Sequence, residues 1–74
     1  MEEFFEGMAE ILEIDVANVG PELNLTDYAW DSLAVVSTMA LVDDVFSVML
    51  DGQVLAKCEK LSDILAAVEL AKKA

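Results

Sequence analysis

Asp31-Ser-Leu-Ala-Val-Val-Ser-Thr-Met-Ala-Leu-Val-Asp-Asp-Val-Phe46 is the stretch on which the fold turns. Asp and Ser are strong helix caps, and nothing between Leu33 and Phe46 breaks a helix. The spacing predicts a helix from Asp31 or Ser32 to about Phe46. Leu33, Val35, Val36, Met39, Ala40, Leu41, Val42, Val45 and Phe46 place apolar side chains on several of its faces. A helix apolar nearly all round is either central in a bundle or keeps a face for a partner.

Outward from this stretch the chain reads as more helix. Phe4, Phe5, Met8, Ile11 and Leu12 recur at helical spacing, which predicts a first helix over 2–13 with Glu3, Glu6, Glu10 and Glu13 on its other faces. Gly7 weakens it by about 1 kcal/mol relative to alanine. Asp15 to Asp31 is a long connection broken at Gly20-Pro21. Val16, Val19, Leu23, Leu25, Tyr28 and Trp30 are expected to pin it across the core, and a loop of this length in so small a domain hints at function. After a turn at Asp51-Gly52, residues 53–58 suit a short helical turn. Ser62 reads as the cap of a last helix over 63–73, with Ile64, Ala67, Val68 and Ala71 inward and Lys72 and Lys73 at its end. Strand signals are weak. The expected fold is all-α: a small four-helix bundle, three main helices and one short one, with a long loop between the first and second, in a single domain over 1–74.

Composition narrows the function. The chain has 74 residues, 57% of them apolar, so it is too hydrophobic for a disordered acidic tail and too short for a cleft walled by a second domain. It has no histidine, and its four bases are all lysines. That argues against a Ser-His-Asp hydrolase or an independent metalloenzyme, and the expectation is a protein that is not an enzyme and holds no metal. The net charge is −11, and residues 1–56 contain no base at all. Such a surface repels nucleic acid and anionic lipid and attracts basic protein patches. Cys58 is the only cysteine, so no internal disulfide forms. The apolar run from Leu33 to Val42 is too short to span a bilayer. The acidic start, Met1-Glu2-Glu3, lacks the basic opening of a secretion signal, and a cytoplasmic monomer is expected.

Within Asp31-Ser32-Leu33, a serine at a helix start has its hydroxyl near solvent and near unpaired backbone N–H groups. A phosphate ester on that oxygen would sit in the favourable field of the helix dipole. Taken alone, the three residues are read more simply as a cap. Met8, Met39 and Met49 are candidates for an adaptable pocket, but ordinary core filling is the better reading of each. Cys58 has no base to activate it and reads as a small core residue.

The whole order resembles the acyl carrier protein family. The resemblance rests on Tyr28-Ala-Trp-Asp-Ser-Leu33, Met39-Ala-Leu-Val-Asp-Asp-Val-Phe46 and Lys60-Leu-Ser-Asp-Ile-Leu-Ala-Ala-Val68, and it covers about residues 4–70. It implies a 4′-phosphopantetheine arm on Ser32, added from coenzyme A by a phosphopantetheinyl transferase, whose thiol carries an acyl group as a thioester to partner enzymes. It also implies that Asp31 helps dock the transferase and that Leu33 touches partners. Fatty acid, polyketide or specialised lipid biosynthesis are the pathways it suggests.

Departures from the family pattern point to a discrete carrier of a specialised pathway. Trp30 stands where fatty-acid carriers place a small residue. The Gly-Gly run of peptidyl carriers is absent, and Leu33 replaces the methionine of D-alanyl carriers. Ala34 and Ser37 stand where acids are expected, leaving Asp43 and Asp44 further along. Leu33, Val36, Ser37 and Ala40 therefore form a nearly uncharged stripe by three-and-four spacing, the expected contact face for acyl-loading and acyl-transferring enzymes. Two rival readings stand beside this one: an aminoacyl or peptidyl carrier, and a small acidic helical interaction module without a prosthetic group.

Overall fold

The computed structural model describes residues 2–73. Four helices follow in order: α1 (Glu2–Leu12), α2 (Ser32–Phe46), α3 (Gly52–Ala56) and α4 (Leu61–Lys73). The all-α bundle of three main helices and a short one is as the sequence predicts. The connection between α1 and α2 is long and irregular, with two short 3-10 turns at Val16–Asn18 and Leu25–Asp27.

Each helix turns one apolar stripe inward. Phe4 and Met8 of α1, Val42 of α2, Leu55 of α3, and Leu61 and Ile64 of α4 are fully buried, as is Leu25 of the loop. Burial of such side chains stabilises by about 1.5–3 kcal/mol each. The polar exception is Thr38, also fully buried. Its hydroxyl donates to the Ala34 carbonyl one turn back at 2.8 Å, so a threonine in the helix centre brings no unpaired polar atom into the core. Gly7 does not interrupt α1. A Cβ there would collide with the Leu41 side chain, so the glycine lets α1 and α2 approach closely.

The loop is held by backbone bonds as well as apolar anchors. Leu25 N–H donates to the Glu59 carbonyl at 2.7 Å, Leu61 N–H to Leu23 at 3.0 Å, and Ser62 N–H to Pro21 at 2.9 Å. Val19 and Leu25 are buried and Leu23, Tyr28 and Trp30 pack against the core, but Val16 is 45% exposed and pins nothing. At the opposite end, Phe46 stacks obliquely on Phe4 with ring centroids 5.3 Å apart, and the Lys72 ammonium lies 5.2 Å from the Phe46 centroid. That places a cation against an aromatic face where a helix C-terminus also favours it.

Element ends differ from the sequence reading for identifiable reasons. α1 stops at Leu12 because Glu13 adopts a left-handed backbone, φ 60°. Asp51-Gly52 is a helix start rather than a free turn: the Asp51 carboxylate accepts from Gln53 N–H at 2.9 Å, and α3 begins at Gly52 and ends at Ala56. α4 begins at Leu61, so Ser62 lies inside its first turn and is not the cap.

Candidate functional site at the start of α2

Asp31, not Ser32, caps α2. Its extended backbone (φ −107°) carries the chain into the helix, and its Oδ1 accepts from Ala34 N–H at 3.0 Å while its carbonyl accepts from Val35 N–H at 2.9 Å. The aspartate therefore takes the capping work, and Ser32 becomes the first residue of the helix proper. Ser32 is exposed, and its hydroxyl makes no hydrogen bond to any described residue. Among the described residues the backbone N–H groups of Ser32 and Leu33 are also without partners. Exposed N–H groups at a helix start form an anion-binding position.

The residues ahead of the serine fix its place. Trp30 is half-buried against the core, and its indole N–H donates to the Leu55 carbonyl of α3 at 3.1 Å. The loop is thus fastened to α3 two residues before Ser32. Behind the serine, Leu33 is 76% and Val36 60% exposed, and Ala40 is exposed beyond them. Ser37 is half-buried, and Ala34, beside the stripe in sequence, faces the core at 5% exposure.

The stripe is not as poor in acids as α2 alone suggests. Glu10 of α1 and Glu13, just after it, share one surface depression with Asp31, Leu33 and Ser37. Ser37 and Ala40 share a neighbouring depression with Asp43 and Asp44. Glu10 lies in the last turn of α1 and Glu13 just beyond it, in the left-handed residue that ends the helix. That this end of α1 meets α2 beside Ser32 is a packing result.

The other highlighted residues lie elsewhere. Met8 is core, Met39 is half-buried near Gly52, and Met49 is 82% exposed, so the three methionines do not line a common pocket. Cys58 is buried, and its thiol lies 3.4 Å from the Val54 carbonyl. Burial pushes the thiol pKa up and the Asp63 charge adds to this, which keeps it protonated and inert. Asp63 itself is held below the ordinary carboxylate range by the N–H groups of Lys60 and Glu59, both 3.0 Å from its Oδ2.

The start of α2 thus leaves an exposed serine and two backbone N–H groups without partners among the described residues. A family model described as the phosphopantetheine attachment site matches residues 2–68. The chain belongs to this family, whose members bear covalently attached 4′-phosphopantetheine and act as carriers rather than catalysts. Comparison with curated proteins and with solved structures found no match. No described helix is long and apolar enough to cross a membrane.

Proposed function

We infer that Ser32 is the attachment residue and that the protein is an acyl carrier serving dedicated enzymes of a specialised pathway in the cytoplasm, as a monomer. The observation that supports this most is the free Ser32 hydroxyl beside the unpaired N–H groups of Ser32 and Leu33, at the helix start that Asp31 caps. These residues fit the group: the N–H groups of Ser32 and Leu33 would be available to its phosphate, and the helix dipole would favour the ester's negative charge. When bound, the arm supplies a thiol that holds an acyl group as a thioester.

Attachment needs a separate transferase. Ser32 Oγ attacks the phosphorus that bears the pantetheine in coenzyme A. A new P–O bond forms, the pyrophosphate bond breaks, 3′,5′-ADP leaves, and the serine proton passes to a base of the transferase. Asp31 uses Oδ1 on Ala34 N–H, which leaves Oδ2 to meet the transferase and its metal. Leu33, Val36, Ser37 and Ala40 form the contact face for loading enzymes, with Asp43 and Asp44 at its far end. Contact there is mainly apolar, and the surrounding acids speed encounter with basic patches.

Incubation with a promiscuous transferase and coenzyme A, followed by intact mass and peptide mapping, tests the attachment. One added phosphopantetheine on Ser32 is expected. Modification of Ser37, Ser47 or Ser62, or none, overturns the reading. An interaction module without a prosthetic group is the reading that family membership disfavours. Acyl and aminoacyl loading are compared directly by offering the holo protein an acyltransferase with acyl-coenzyme A, or an adenylating enzyme with ATP and an amino acid. In loading by one generic fatty-acid enzyme, Leu33→Ala is expected to slow the reaction and Ser37→Glu to speed it. No effect of Leu33→Ala would remove the contact face from this account.

A further inference from the structure

Of residues 29–33, only Trp30 packs against the core; Ala29, Asp31, Ser32 and Leu33 are exposed. The Asp31 cap ties this segment to its own helix through Ala34 N–H, and buried Ala34 and Val35 seat α2 on the core downstream. Upstream, the tie to another element is made by Trp30. Its indole N–H donates to the Leu55 carbonyl, 25 residues away in sequence, at 3.1 Å, an ordinary length for such a bond. The acceptor is well fixed: the Leu55 side chain is fully buried, and its carbonyl also receives Cys58 N–H at 3.0 Å. At the other end of the five-residue α3, Gly52 lies against Met39 of α2, where a Cβ would stand 3.3 Å from the sulfur. α3 therefore braces the chain ahead of Ser32 against the middle of α2. The backbone N–H of Trp30 donates to the Tyr28 carbonyl at 2.8 Å, a tight bend that leaves little slack between the ring and the serine.

We propose that Trp30 is a positioning residue for phosphopantetheine attachment: its bond to Leu55 sets how Ser32 is presented to the transferase, and so acts on the transfer step rather than on binding. The proposal rests on Ser32 being the attachment residue. In that step Ser32 Oγ attacks the phosphorus, 3′,5′-ADP leaves, and the serine proton passes to a base of the transferase. These groups must line up, and a misplacement of about 1 Å costs up to about 100-fold in rate. Trp30 acts through the backbone of Asp31 and Ser32, not on the reacting atoms.

The test uses the full apo chain with coenzyme A and one promiscuous transferase in excess, so that a single turnover is read by intact mass. No added mass on the parent chain, or its placement on another serine by peptide mapping, marks failure of the attachment reading before any rates are compared. Trp30→Phe keeps an aromatic ring and removes the indole N–H. It is expected to lower the rate at saturating transferase by about tenfold and to leave the half-saturating concentration within about twofold. A merely structural role has the opposite signature: a smaller folded fraction weakens apparent binding by that fraction and leaves the saturated rate unchanged. A second variant approaches from α3. Asp51→Ala removes its side-chain cap, the carboxylate that accepts from Gln53 N–H. It should slow the saturated step by about threefold in the parent chain and by less than about 1.5-fold in the Trp30→Phe background, because residues that act through one contact are not additive. An unchanged saturated rate for Trp30→Phe, or an equal loss from Asp51→Ala in both backgrounds, overturns the proposal. If Trp30→Phe loses its helical circular dichroism, Asp51→Ala in the parent chain decides alone: a slower saturated step at unchanged half-saturation supports the brace, and an unchanged rate overturns it.

Discussion

The starts of α2 and α4 carry the same two residue types in opposite order, Asp31-Ser32 and Ser62-Asp63, and they are wired differently. At α2 the aspartate precedes the helix and reaches forward to Ala34 N–H. At α4 it lies inside the first turn and reaches back to the N–H groups of Glu59 and Lys60. Two α4 donors are taken by the loop, Leu61 N–H by the Leu23 carbonyl and Ser62 N–H by that of Pro21, and Asp63 N–H donates to the Lys60 carbonyl. Ser62 is half-buried in a start whose first three donors are in use, and Ser32 is exposed in one that keeps its first two free. A serine near a helix start becomes available for chemistry only when the cap and the tertiary neighbours leave it and its N–H groups unengaged.

The sharpest way to break this comparison is to remove each serine in turn. Ser32→Ala is expected to abolish phosphopantetheine attachment completely, and Ser62→Ala to leave it intact, both read by intact mass. Because Asp31 is the cap, Ser32→Ala should cost little stability, within the roughly 0.5 kcal/mol usual for surface substitutions. A loss near the 2 kcal/mol upper end for a true cap would return the capping role to the serine.

Next in size is the cap itself. Asp31→Ala should destabilise by about 0.5–2 kcal/mol. At about 4–8 °C per kcal/mol for a domain of this size, thermal melting resolves it. An unchanged melting temperature would mean that α2 does not depend on its aspartate and that the contrast with α4 is geometric only.

Charge sharpens the comparison further. α2 lies within residues 1–56, where no base offsets the acids, whereas all four lysines lie between Lys57 and Lys73, on and around α4. Added salt screens repulsion over a Debye length of about 8–10 Å, so Tm should rise by a few degrees. Magnesium should raise it more at equal ionic strength, and a flat response to both would show the acids too dispersed to matter.

The smallest effect is in the acid limb of α4. The Asp63 pKa is lowered in the folded state, chiefly by the Lys60 N–H and then the Glu59 N–H. Its contribution is therefore present above the unfolded value, about 3.9, and is lost as pH falls through the depressed folded value. Melts of Asp63→Ala and the parent chain should differ at pH 7 and converge at the acid end. A difference that persists there would assign the effect to packing rather than to the ionised carboxylate.

Much was legible in the residues alone. Helical spacing of Phe4, Met8 and Leu12, the unbroken run after Ser32, and Ile64 and Val68 in α4 determined an all-α bundle, because an amphipathic stripe must be buried wherever it occurs. Asp31-Ser32-Leu33, at the head of that run, marked the candidate site by its capping chemistry and by the order of segments around it. Ends were less legible. Whether Asp31 or Ser32 caps α2, and whether Ser62 or Leu61 opens α4, depends on which N–H groups other segments reach, and Pro21 and Leu23 reach α4 from about forty residues away in sequence. Three features were decided by tertiary structure alone: the hydrogen bond that fastens Trp30 to Leu55 ahead of Ser32, the placement of Glu10 and Glu13 beside Ser37, and the exposure of Val16. Local propensity acts over a few residues along the chain. These features depend on surfaces that meet only after the helices have packed, and no periodicity within one segment records its neighbour across the core.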